Sequence, residues 1–400
     1  MHQTTLPDIS VLDSTPLTFY HGYDASADSQ TVGNLAAMMF DLVLMRHGCR
    51  AVILAGGATS LIGDPGGKDA ERQLPDEAEI ARNVAKTKQQ LARIFTGHQF
   101  TLVNNLDWVK DLKLLDFLRD IGKHFGMTAL LQREFIAERI GQGGSGISYA
   151  EFSYGLLQGY DYLKLHDQYG VRLQLGGSDQ WGNILSGVEL VRKLRGSEVH
   201  AITMPLVINK TTGKKFGKSE EGTIWLEATK TSPYQFYQFW LNTDDASVED
   251  FLKLYTQLPQ AEIEALLAEF EAAPQNRAAQ RRLAAEVTGL VHGRESAERV
   301  IKLTGVLFGE QTYQQLGRDD FTELKRDLPT AEAHLSYTTL GDALVAAGLA
   351  ASNSEARRLL GEGAIYVNGR QAGGQKTVFE ESDVIAGHAL LRRIGAAGAS

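Results

Sequence analysis

Apolar runs alternate with amphipathic stretches through the first half of the chain. Short runs at 17–20, 51–54, 100–103 and 171–175 carry the apolar and β-branched residues typical of buried strands. Between them, the stretches 35–47, 112–125 and 180–194 show the apolar spacing of amphipathic helices. This alternation, from about residue 17 to 225, predicts an α/β fold with a doubly wound parallel sheet.

Two of the predicted strands end in a pair of glycines. Gly56 and Gly57 follow one strand, and Gly176 and Gly177 follow another. Ligands of doubly wound sheets bind at the carboxyl ends of the strands, and a residue without a side chain lets a ligand approach the backbone. We therefore expect the functional site at these two ends.

The second half of the chain has a different pattern. Residues 232–308 are helical almost throughout, with Pro233 suited to a first turn and apolar spacing at 262–272, 278–292 and 296–307. A polar, irregular connector is predicted at 318–329, followed by helices at 340–347 and 353–360 and a strand at 364–367 that leads into the turn Asn368-Gly369. The chain therefore divides into an α/β domain (1–230), an all-α domain (231–320) and a small α+β domain (335–395).

Composition narrows the class of protein. The 400 residues are 43% hydrophobic and 22% charged, with no apolar run of membrane-spanning length and no secretion signal at the N-terminus. The single cysteine, Cys49, excludes an internal disulfide and a cysteine metal cluster, so we expect a cytoplasmic protein. A net charge of −9 argues against adhesion to nucleic acid through overall charge, and any RNA contact needs a local basic patch.

The segment Lys215-Phe216-Gly217-Lys218-Ser219 holds two lysines three residues apart, in a loop that also contains Gly213 and Gly222. Ammonium groups on such a loop can close over a polyphosphate and neutralise charge as it moves to the leaving group. The simpler interpretation is a solvated basic loop, since short motifs are weak signals on their own.

A capping box at Ser148 and Glu151 predicts a helix that begins near residue 149. At about 100° per residue, its Tyr154, Gln158 and Asp161 lie within roughly a 60° sector, so one face presents a phenol, an amide and a carboxylate. Two other interpretations stay open: a solvent-exposed polar stripe, and a half-buried tyrosine that only packs.

Small polar residues and glycines fill the passage 19–35, just before a long helix. The free N–H groups and the dipole of a helix N-terminus suit a phosphate group. The chain contains neither a P-loop motif nor a G-x-G-x-x-G fingerprint, which gives little support to a nicotinamide or flavin role. For Ser26 and Thr31, plain N-capping is the alternative.

Several long segments, taken in order and spacing, resemble bacterial tyrosyl-tRNA synthetases, a family of class I aminoacyl-tRNA synthetases. They read GGAT and LIGDP (56–59, 61–65), FLRDIGKHF (117–125), LQGYD (157–161), GGSDQWGN (176–183) and KFGKS (215–219). The resemblance covers about residues 19–394, and the segments SEARRLL (354–360) and IYVNG (365–369) resemble an S4-type RNA-binding module.

This resemblance implies a Rossmann-like catalytic domain, a helical anticodon-binding domain and an S4-like domain. It implies that tyrosine and ATP give tyrosyl-adenylate and pyrophosphate, after which tyrosine passes to tRNA(Tyr). The implied tyrosine ligands are Tyr20, Asp64, Tyr154, Gln158, Asp161 and Gln180. The implied ATP contacts are Asp24, Ser26, Gly33, Gly177, Asp179 and Lys218. The implied catalytic residues are Thr31, Asn34, Lys68, Arg72, Lys215, Lys218 and Ser219, and the implied RNA contacts are Arg357, Arg358 and Arg370.

The chain departs from the family pattern at the class I signature. Thr31-Val32-Gly33-Asn34 stands where the family has His-x-Gly-His, and His21 replaces a more usual cysteine. Threonine keeps a hydrogen-bond donor near the phosphates but loses reach and any positive charge. These changes affect ATP binding, and the pocket for tyrosine keeps its residues.

The resemblance also implies a homodimer, with Mg²⁺ that accompanies ATP, no dedicated protein metal site and no membrane association. Seven acidic residues between 332 and 383 balance the arginines of the last domain, so that an evenly charged surface is the alternative to an RNA-binding face. Two other functions remain open: a non-catalytic RNA-binding relative, and a synthetase for another aromatic amino acid such as tryptophan. Tyrosine-dependent pyrophosphate exchange separates them.

Overall fold

The computed structural model describes residues 2–14, 16–64, 76–208, 210–211, 213, 216–219, 222–335, 337–372 and 376–394, with the side chains of 13, 14, 134, 135, 218 and 219 left out. The strands are β1 Gln3–Thr4, β2 Thr18–Tyr23, β3 Arg50–Ala55, β4 Phe100–Asn104, β5 Leu173–Gly177, β6 His200–Met204, β7 Lys218–Ser219, β8 Gly222–Thr223, β9 Ile365–Val367, β10 Arg370–Gln371 and β11 Leu391–Arg393.

The helices of the N-terminal half are α1 Val11–Ser14, α2 Val32–Arg46, α3 Gly57–Ser60, α4 Glu77–Ile94, α5 Leu106–Val109, α6 Leu114–Asp120, α7 Met127–Leu131, α8 Glu134–Ile140, α9 Tyr149–Tyr169 and α10 Trp181–Arg195. Those of the C-terminal half are α11 Pro233–Leu241, α12 Val248–Tyr255, α13 Gln260–Ala272, α14 Ala278–His292, α15 Arg294–Leu307, α16 Arg318–Leu324, α17 Leu340–Ala346 and α18 Asn353–Gly361. Short 3-10 turns lie at Gly122–His124, Ser178–Gln180, Pro274–Asn276, Tyr313–Gln315 and Glu381–Asp383.

The central sheet has six strands in the order β1-β6-β5-β2-β3-β4. Strands β6, β5, β2, β3 and β4 are parallel neighbours, which confirms the predicted doubly wound α/β class. Strand β1 adds an antiparallel edge beside β6. The sequence analysis missed both of these strands, because β1 is a two-residue polar edge and β6 is a short run in which His200 and Thr203 interrupt the apolar residues.

The order of the strands creates a topological switch point. The chain builds outward from β2 through β3 to β4, then returns to place β5 on the other side of β2. The connections that leave the carboxyl ends of β2 and β5 therefore diverge, and a crevice opens between Tyr23 and Gly177. This is the edge at which the sequence predicted a ligand.

Each face of the sheet is covered by helices. Tyr20, Val52 and Leu54 pack with side chains of α9 and α10 on one face, where the rings of Tyr20 and Tyr162 make an edge contact at 5.1 Å. The neighbouring positions His21 and Tyr23 point the other way, toward α2. The neighbouring strand β3 is buried from Ala51 to Ala55 and reads as a continuous apolar run, as expected for a strand covered on both faces.

Helix ends follow the predicted capping chemistry, with one correction. Ser148 caps α9 in a capping box with Glu151, as predicted, and Pro233 occupies the first turn of α11. The stretch 112–125 was predicted as one helix, but α6 ends at Asp120 and a separate 3-10 turn follows at Gly122–His124. Glycine at the break lowers helix propensity there.

The chain forms two compact units, which are Met1–Glu227 with Asp244–Ile263, and Ala228–Thr243 with Glu264–Ser400. The second unit contains the long helices α11, α14 and α15, whose buried side chains include Trp240, Leu283 and Val300. It also contains the antiparallel sheet β10-β9-β11, with α17 and α18 packed through Leu344, Leu359 and Ile365. The domain boundaries at 230, 320 and 335 stay predictions.

The predicted irregular connector at 318–329 is wrong in part, because its first half forms α16. Phe321 and Leu324 lie on one side of that helix, are buried, and belong to a cluster with Leu303 and Val306 of α15. The two apolar positions were too few to stand out in a polar segment. Among the described residues, no helix combines the length and hydropathy that crossing a bilayer requires.

Candidate active site

A cleft of about 760 Å³ opens at the carboxyl ends of β2 and β5. Most of the site residues predicted from the sequence line it: Tyr20, Asp24, Ser26, Thr31, Gly33, Asn34, Asp64, Tyr154, Gln158, Asp161, Gly177, Asp179 and Gln180. They come from four separate parts of the chain (20–34, 64, 154–161 and 177–180), which the parallel sheet brings to one edge. The polar face of α9 therefore lies on this cleft.

The floor of the cleft is built around Asp161 on α9. This carboxylate is 1% exposed. It accepts hydrogen bonds from Trp108 Nε1 at 2.8 Å and from Asn105 Nδ2 at 3.0 Å. Burial raises the pKa of Asp161 to about 7, and the two donors oppose that rise. The carboxyl group is thus poised to change charge near neutral pH.

Asn105 and Trp108 were missed by the sequence analysis. Both follow β4, the neighbour of β3, at its carboxyl end. Polar residues directly after a parallel strand were the available signal, but their contact with a helix more than 50 positions later depends on the tertiary fold.

Three buried polar atoms at this floor have no hydrogen-bond partner among the described residues: Tyr20 Oη, Gln158 Oε1 and Gln174 Oε1. Burial, together with the nearby Asp161, also raises the pKa of the Tyr20 phenol well above its usual value. Buried polar groups are nearly always paired in folded proteins. Three unpaired atoms at the floor of the cleft therefore indicate the position of a polar ligand.

Higher in the cleft, Asp64 and Gln180 meet across 116 positions of sequence, with Gln180 Nε2 donating to Asp64 Oδ2 at 2.6 Å. Gln180 in turn accepts from Asn183 Nδ2 at 3.3 Å. On the opposite side, Ser60 Oγ donates to Asp24 Oδ1 at 2.5 Å. The Tyr154 phenol lies near these carboxylates, and burial followed by Asp64, Asp24 and Asp161 raises its pKa.

The altered class I signature forms a closed N-terminal cap on α2. Thr31 Oγ1 donates to Asn34 Oδ1 at 2.8 Å, and the Thr31 backbone N–H donates to the same oxygen at 3.0 Å. The Asn34 backbone N–H donates back to Thr31 Oγ1 at 3.4 Å. N-capping, the alternative considered for Thr31, is therefore present, while both residues still line the cleft.

The backbone of the lysine loop lies against this cap. The Phe216 ring packs on Phe251 at 4.3 Å and on Tyr255 at 5.8 Å. Gly217 has a φ of 97°, and a Cβ built there would stand 3.2 Å from the Gly33 nitrogen. Lys68, Arg72 and Lys215 lie outside the described residues, as do the side chains of Lys218 and Ser219, whose backbone forms β7.

The glycines after the strands also make room for neighbouring side chains, while the predicted approach of a ligand to their backbone stays a prediction. A Cβ on Gly176 would stand 2.9 Å from Ile184 Cδ1 and 3.2 Å from Gln180 Cβ, and one on Gly177 would stand 2.5 Å from Asp179 Oδ1. A Cβ on Gly57 would stand 2.2 Å from Asn104 Oδ1. The room that these glycines leave is filled by neighbouring side chains, several of which line the cleft.

A buried polar triad supports the strand that carries Tyr20. Asp41 on α2 is 0% exposed and bonds His21 Nδ1 at 2.8 Å, while Tyr23 Oη donates to its second oxygen at 2.5 Å. Burial, with help from Asp41, raises the pKa of Tyr23 well above its usual value. His21, the residue that replaces the usual cysteine, is therefore part of a structural network that fixes β2 against α2.

The three arginines predicted to bind RNA lie in the C-terminal part of the second unit, and all are exposed. Arg358 forms an ion pair with Glu362 at 2.9 Å. Arg357 and Arg370 form no ion pair with any described residue, so their charge is not neutralised locally. As for metals, no group of three or more histidine, cysteine or carboxylate side chains among the described residues could hold an ion.

Comparison with known proteins agrees with this fold. The family model "tRNA synthetases class I (W and Y)" matches residues 12–309, and the model "Tyrosine--tRNA ligase SYY-like C-terminal domain" matches residues 320–396. The tyrosine–tRNA ligase of Bacillus caldotenax is 44% identical over 378 residues, 93% of this chain and 89% of that protein. That of Listeria monocytogenes serotype 4a is 42% identical over 389 residues, 96% of this chain and 92% of that protein.

A solved structure shows the same architecture. The C-terminally truncated mitochondrial tyrosyl-tRNA synthetase of Aspergillus nidulans superposes with a TM-score of 0.66 at 31% identity, over 73% of this chain and 86% of that one. Fold and cleft thus define a class I aminoacyl-tRNA synthetase. Within that class, the chain belongs to the tyrosine–tRNA ligase family. It is an enzyme that uses ATP to activate tyrosine and joins the amino acid to tRNA.

Proposed function

We propose that tyrosine binds with its phenol on the floor of the cleft, where the hydroxyl bridges Tyr20 and Asp161. The unpartnered Tyr20 hydroxyl beside a buried carboxylate carries this proposal. A phenolic hydroxyl can accept from Tyr20 and donate to Asp161 at the same time, which satisfies both groups. Phenylalanine offers neither bond and leaves both protein groups buried and unpaired.

The amino-acid end of the substrate then lies beside Asp64. Its ammonium group meets the Asp64 carboxylate, Tyr154 and Gln158, with Gln180 near the carboxylate of the substrate. The hydrogen bond between Gln180 and Asp64 supports this arrangement. It lets Asp64 face the substrate ammonium group while Gln180 faces the substrate carboxylate. An ammonium–carboxylate contact is among the stronger hydrogen bonds in proteins.

ATP occupies the part of the cleft beside the N-terminus of α2. We assign Asp24, Ser26, Gly33, Gly177 and Asp179 to the nucleotide, with Thr31 and Asn34 at the phosphates. The positive end of the α2 dipole supports a phosphate there. Because the Thr31 hydroxyl already donates to Asn34 Oδ1, we assign the remaining charge stabilisation to the lysines.

Lys215, Lys218 and Ser219 of the loop, with Lys68 and Arg72, stabilise the pyrophosphate as it leaves. The contact of the loop backbone with Gly33 supports this role, since it anchors the loop at the phosphate end of the cleft. The Mg²⁺ that accompanies ATP would supply further charge neutralisation. The tyrosyl carboxylate attacks the α-phosphate, and the adenylate then passes its tyrosyl group to tRNA(Tyr).

Tyrosine-dependent exchange of labelled pyrophosphate into ATP tests this proposal. We expect exchange with tyrosine and little with phenylalanine or tryptophan. No exchange with any amino acid would indicate the non-catalytic RNA-binding relative instead. Exchange that depends on tryptophan would contradict the assignment of the cleft floor to the tyrosine phenol.

The affinity for tyrosine should rise with pH between 6 and 8. The Asp161 pKa of about 7 is raised from its ordinary value, so the empty protein favours the protonated form below pH 7. The phenol donates to the ionised form, and binding must therefore release a proton at low pH. Linkage predicts about a tenfold lower dissociation constant at pH 8 than at pH 6, measured by equilibrium dialysis with labelled tyrosine.

The matched control is Asp161→Asn, which cannot titrate at this position. Its weaker binding should not vary with pH over the same range. A flat profile in the unmodified enzyme contradicts the contact between the phenol and Asp161. The raised pKa of Asp161 also affects stability. As pH rises from about 4 to 7, the free energy of unfolding of the ligand-free enzyme should fall, because only the folded state retains the Asp161 proton in that range.

We also propose that the enzyme is a homodimer. Consecutive short helices expose large apolar side chains, most strongly Leu114 (69%), Leu115 (77%) and Met127 (57%), and Tyr149 beyond them is 72% exposed. Exposed apolar patches mark interaction surfaces. Sedimentation velocity should show a species of twice the 43.8 kDa chain mass, and Leu115→Glu should shift it toward the monomer. A monomer for the unmodified chain contradicts this assignment.

For RNA, we propose that the second unit binds tRNA(Tyr), with its helices near the anticodon and Arg357 and Arg370 on the phosphates. The absence of ion pairs at these two exposed arginines, within the described chain, supports the assignment. Arg358 contributes only where RNA displaces Glu362. Each contact should make aminoacylation more sensitive to salt, whereas Arg357→Ser should leave pyrophosphate exchange unchanged. A role in protein synthesis and the buried free Cys49 fit the cytoplasm.

A further inference from the structure

We propose that Arg133 is a positioning residue for the amino-acid site, which acts through Asn183 and Gln180 to orient the Asp64 carboxylate. This inference rests on the proposed role of Asp64 and Gln180 in binding tyrosine. Arg133 lies outside the cleft, between α7 and α8, and was not among the site residues expected from the sequence.

The guanidinium of Arg133 occupies space that two glycines leave open. Cβ atoms built on Gly155 of α9 and Gly182 of α10 would stand 2.7 Å from Arg133 Nη1 and 3.4 Å from its Cδ. Gly155 lies on α9, which carries cleft residues, and Gly182 lies in the first turn of α10, directly after the cleft residue Gln180. Arg133 thus reaches the crossing of α9 and α10 from the helices packed outside them.

The hydrogen bonds of Arg133 go to neutral oxygens. Its Nη2 donates to Ser186 Oγ, and its Nη1 donates to Asn183 Oδ1 at 3.5 Å. Arg133 forms no ion pair with any described residue, and burial lowers its pKa to about 10, against a smaller opposite effect of Glu189. Burying a cation without a carboxylate costs stability. By contrast, Arg139 on α8 pairs with Glu151 at 2.9 Å.

A chain of two amides connects Arg133 to Asp64. Asn183 Nδ2 donates to Gln180 Oε1 at 3.3 Å, and Gln180 Nε2 donates to Asp64 Oδ2 at 2.6 Å. Arginine can only donate, and an ionised carboxylate can only accept. The two ends of the chain therefore fix the direction of both amides between them.

This polarity gives Arg133 a function in substrate binding. With the guanidinium in place, the Asn183 side-chain oxygen accepts from Arg133 and the Asn183 NH₂ group donates to Gln180. Gln180 then donates from its own NH₂ group to Asp64. Without the guanidinium, the Asn183 amide can rotate and set oxygen against oxygen at Gln180. Gln180 then loses its support, and Asp64 loses the donor that holds it toward the substrate.

The test compares Arg133→Met, Arg133→Lys and the control Arg139→Met in pyrophosphate exchange. For Arg133→Met, which keeps length but removes every donor, we expect the KM for tyrosine to rise about tenfold, with the KM for ATP unchanged. Arg133→Lys should restore part of the affinity. Arg139→Met should lower the melting temperature but leave the KM for tyrosine unchanged, because its ion pair lies outside the amide chain.

A second variant separates positioning from folding. Asn183→Asp keeps the acceptor for Arg133 and adds an ion pair, but it removes the donor to Gln180. We expect a melting temperature no lower than that of the unmodified enzyme, together with a raised KM for tyrosine. An unchanged KM in both Asn183→Asp and Arg133→Met overturns the inference. No tyrosine-dependent exchange in the unmodified enzyme would instead overturn the proposed function.

Discussion

Asp161→Ala should lower kcat/KM for tyrosine about a hundredfold and cut the preference for tyrosine over phenylalanine at least tenfold. The substitution removes the acceptor for the substrate phenol. It also removes the acceptor of the half-buried Trp108 Nε1 and one of the two acceptors of the buried Asn105 Nδ2, which keeps Thr59 Oγ1. Each unpaired buried donor costs about 1–3 kcal/mol, so the floor of the cleft will rearrange as well as lose its contact.

Phenylalanine distinguishes these two effects. It does not use the phenol contact, and its poor activation should change much less than that of tyrosine. The measurement is kcat/KM for both amino acids in pyrophosphate exchange. Asp167→Ala on the same helix is the matched control, because Asp167 pairs with Arg195 at 2.7 Å away from the cleft. Equal discrimination in Asp161→Ala and the unmodified enzyme contradicts the assigned floor.

Asp64→Asn is expected to raise the KM for tyrosine about tenfold to a hundredfold, with little change in the KM for ATP. The substitution keeps the size of the side chain but removes the charge that faces the substrate ammonium. It also allows an NH₂ group to meet Gln180 Nε2, which now donates to Asp64 Oδ2 at 2.6 Å.

A substrate analogue supplies the control for this variant. 3-(4-Hydroxyphenyl)propionate keeps the phenol and the carboxylate of tyrosine but has no ammonium group. Its inhibition constant should therefore be nearly the same for Asp64→Asn and the unmodified enzyme. If the analogue and tyrosine lose affinity equally, Asp64 supports the shape of the site rather than the ammonium group.

The parts of the site that follow helix periodicity could be predicted from sequence. Tyr154, Gln158 and Asp161 share one face of α9 because their spacing matches the turn of a helix, and a capping box fixed where that helix begins. The carboxyl ends of β2 and β5 could likewise be placed, since short apolar runs marked these strands. Local rules were sufficient in each case.

Other features depend on which distant elements become neighbours. Asn105 and Trp108 reach Asp161 only because β4 lies beside β3 while α9 crosses the sheet. Arg133 is one polar residue between two short helices, and its contacts with α10 arise from packing. The mutual cap of Thr31 and Asn34 was an open alternative, and only the backbone geometry at the start of α2 resolves it.

The C-terminal end of the chain packs against helix α16. Ile385 and Leu390 pack against the cluster of Phe321 and Leu324, and the His388 ring stacks on Phe321 at 4.6 Å. Clipping by a protease near residue 335 would thus do more than detach a terminal module. It would expose an apolar surface on the remaining helices. The clipped enzyme should therefore aggregate even where its cleft stays intact.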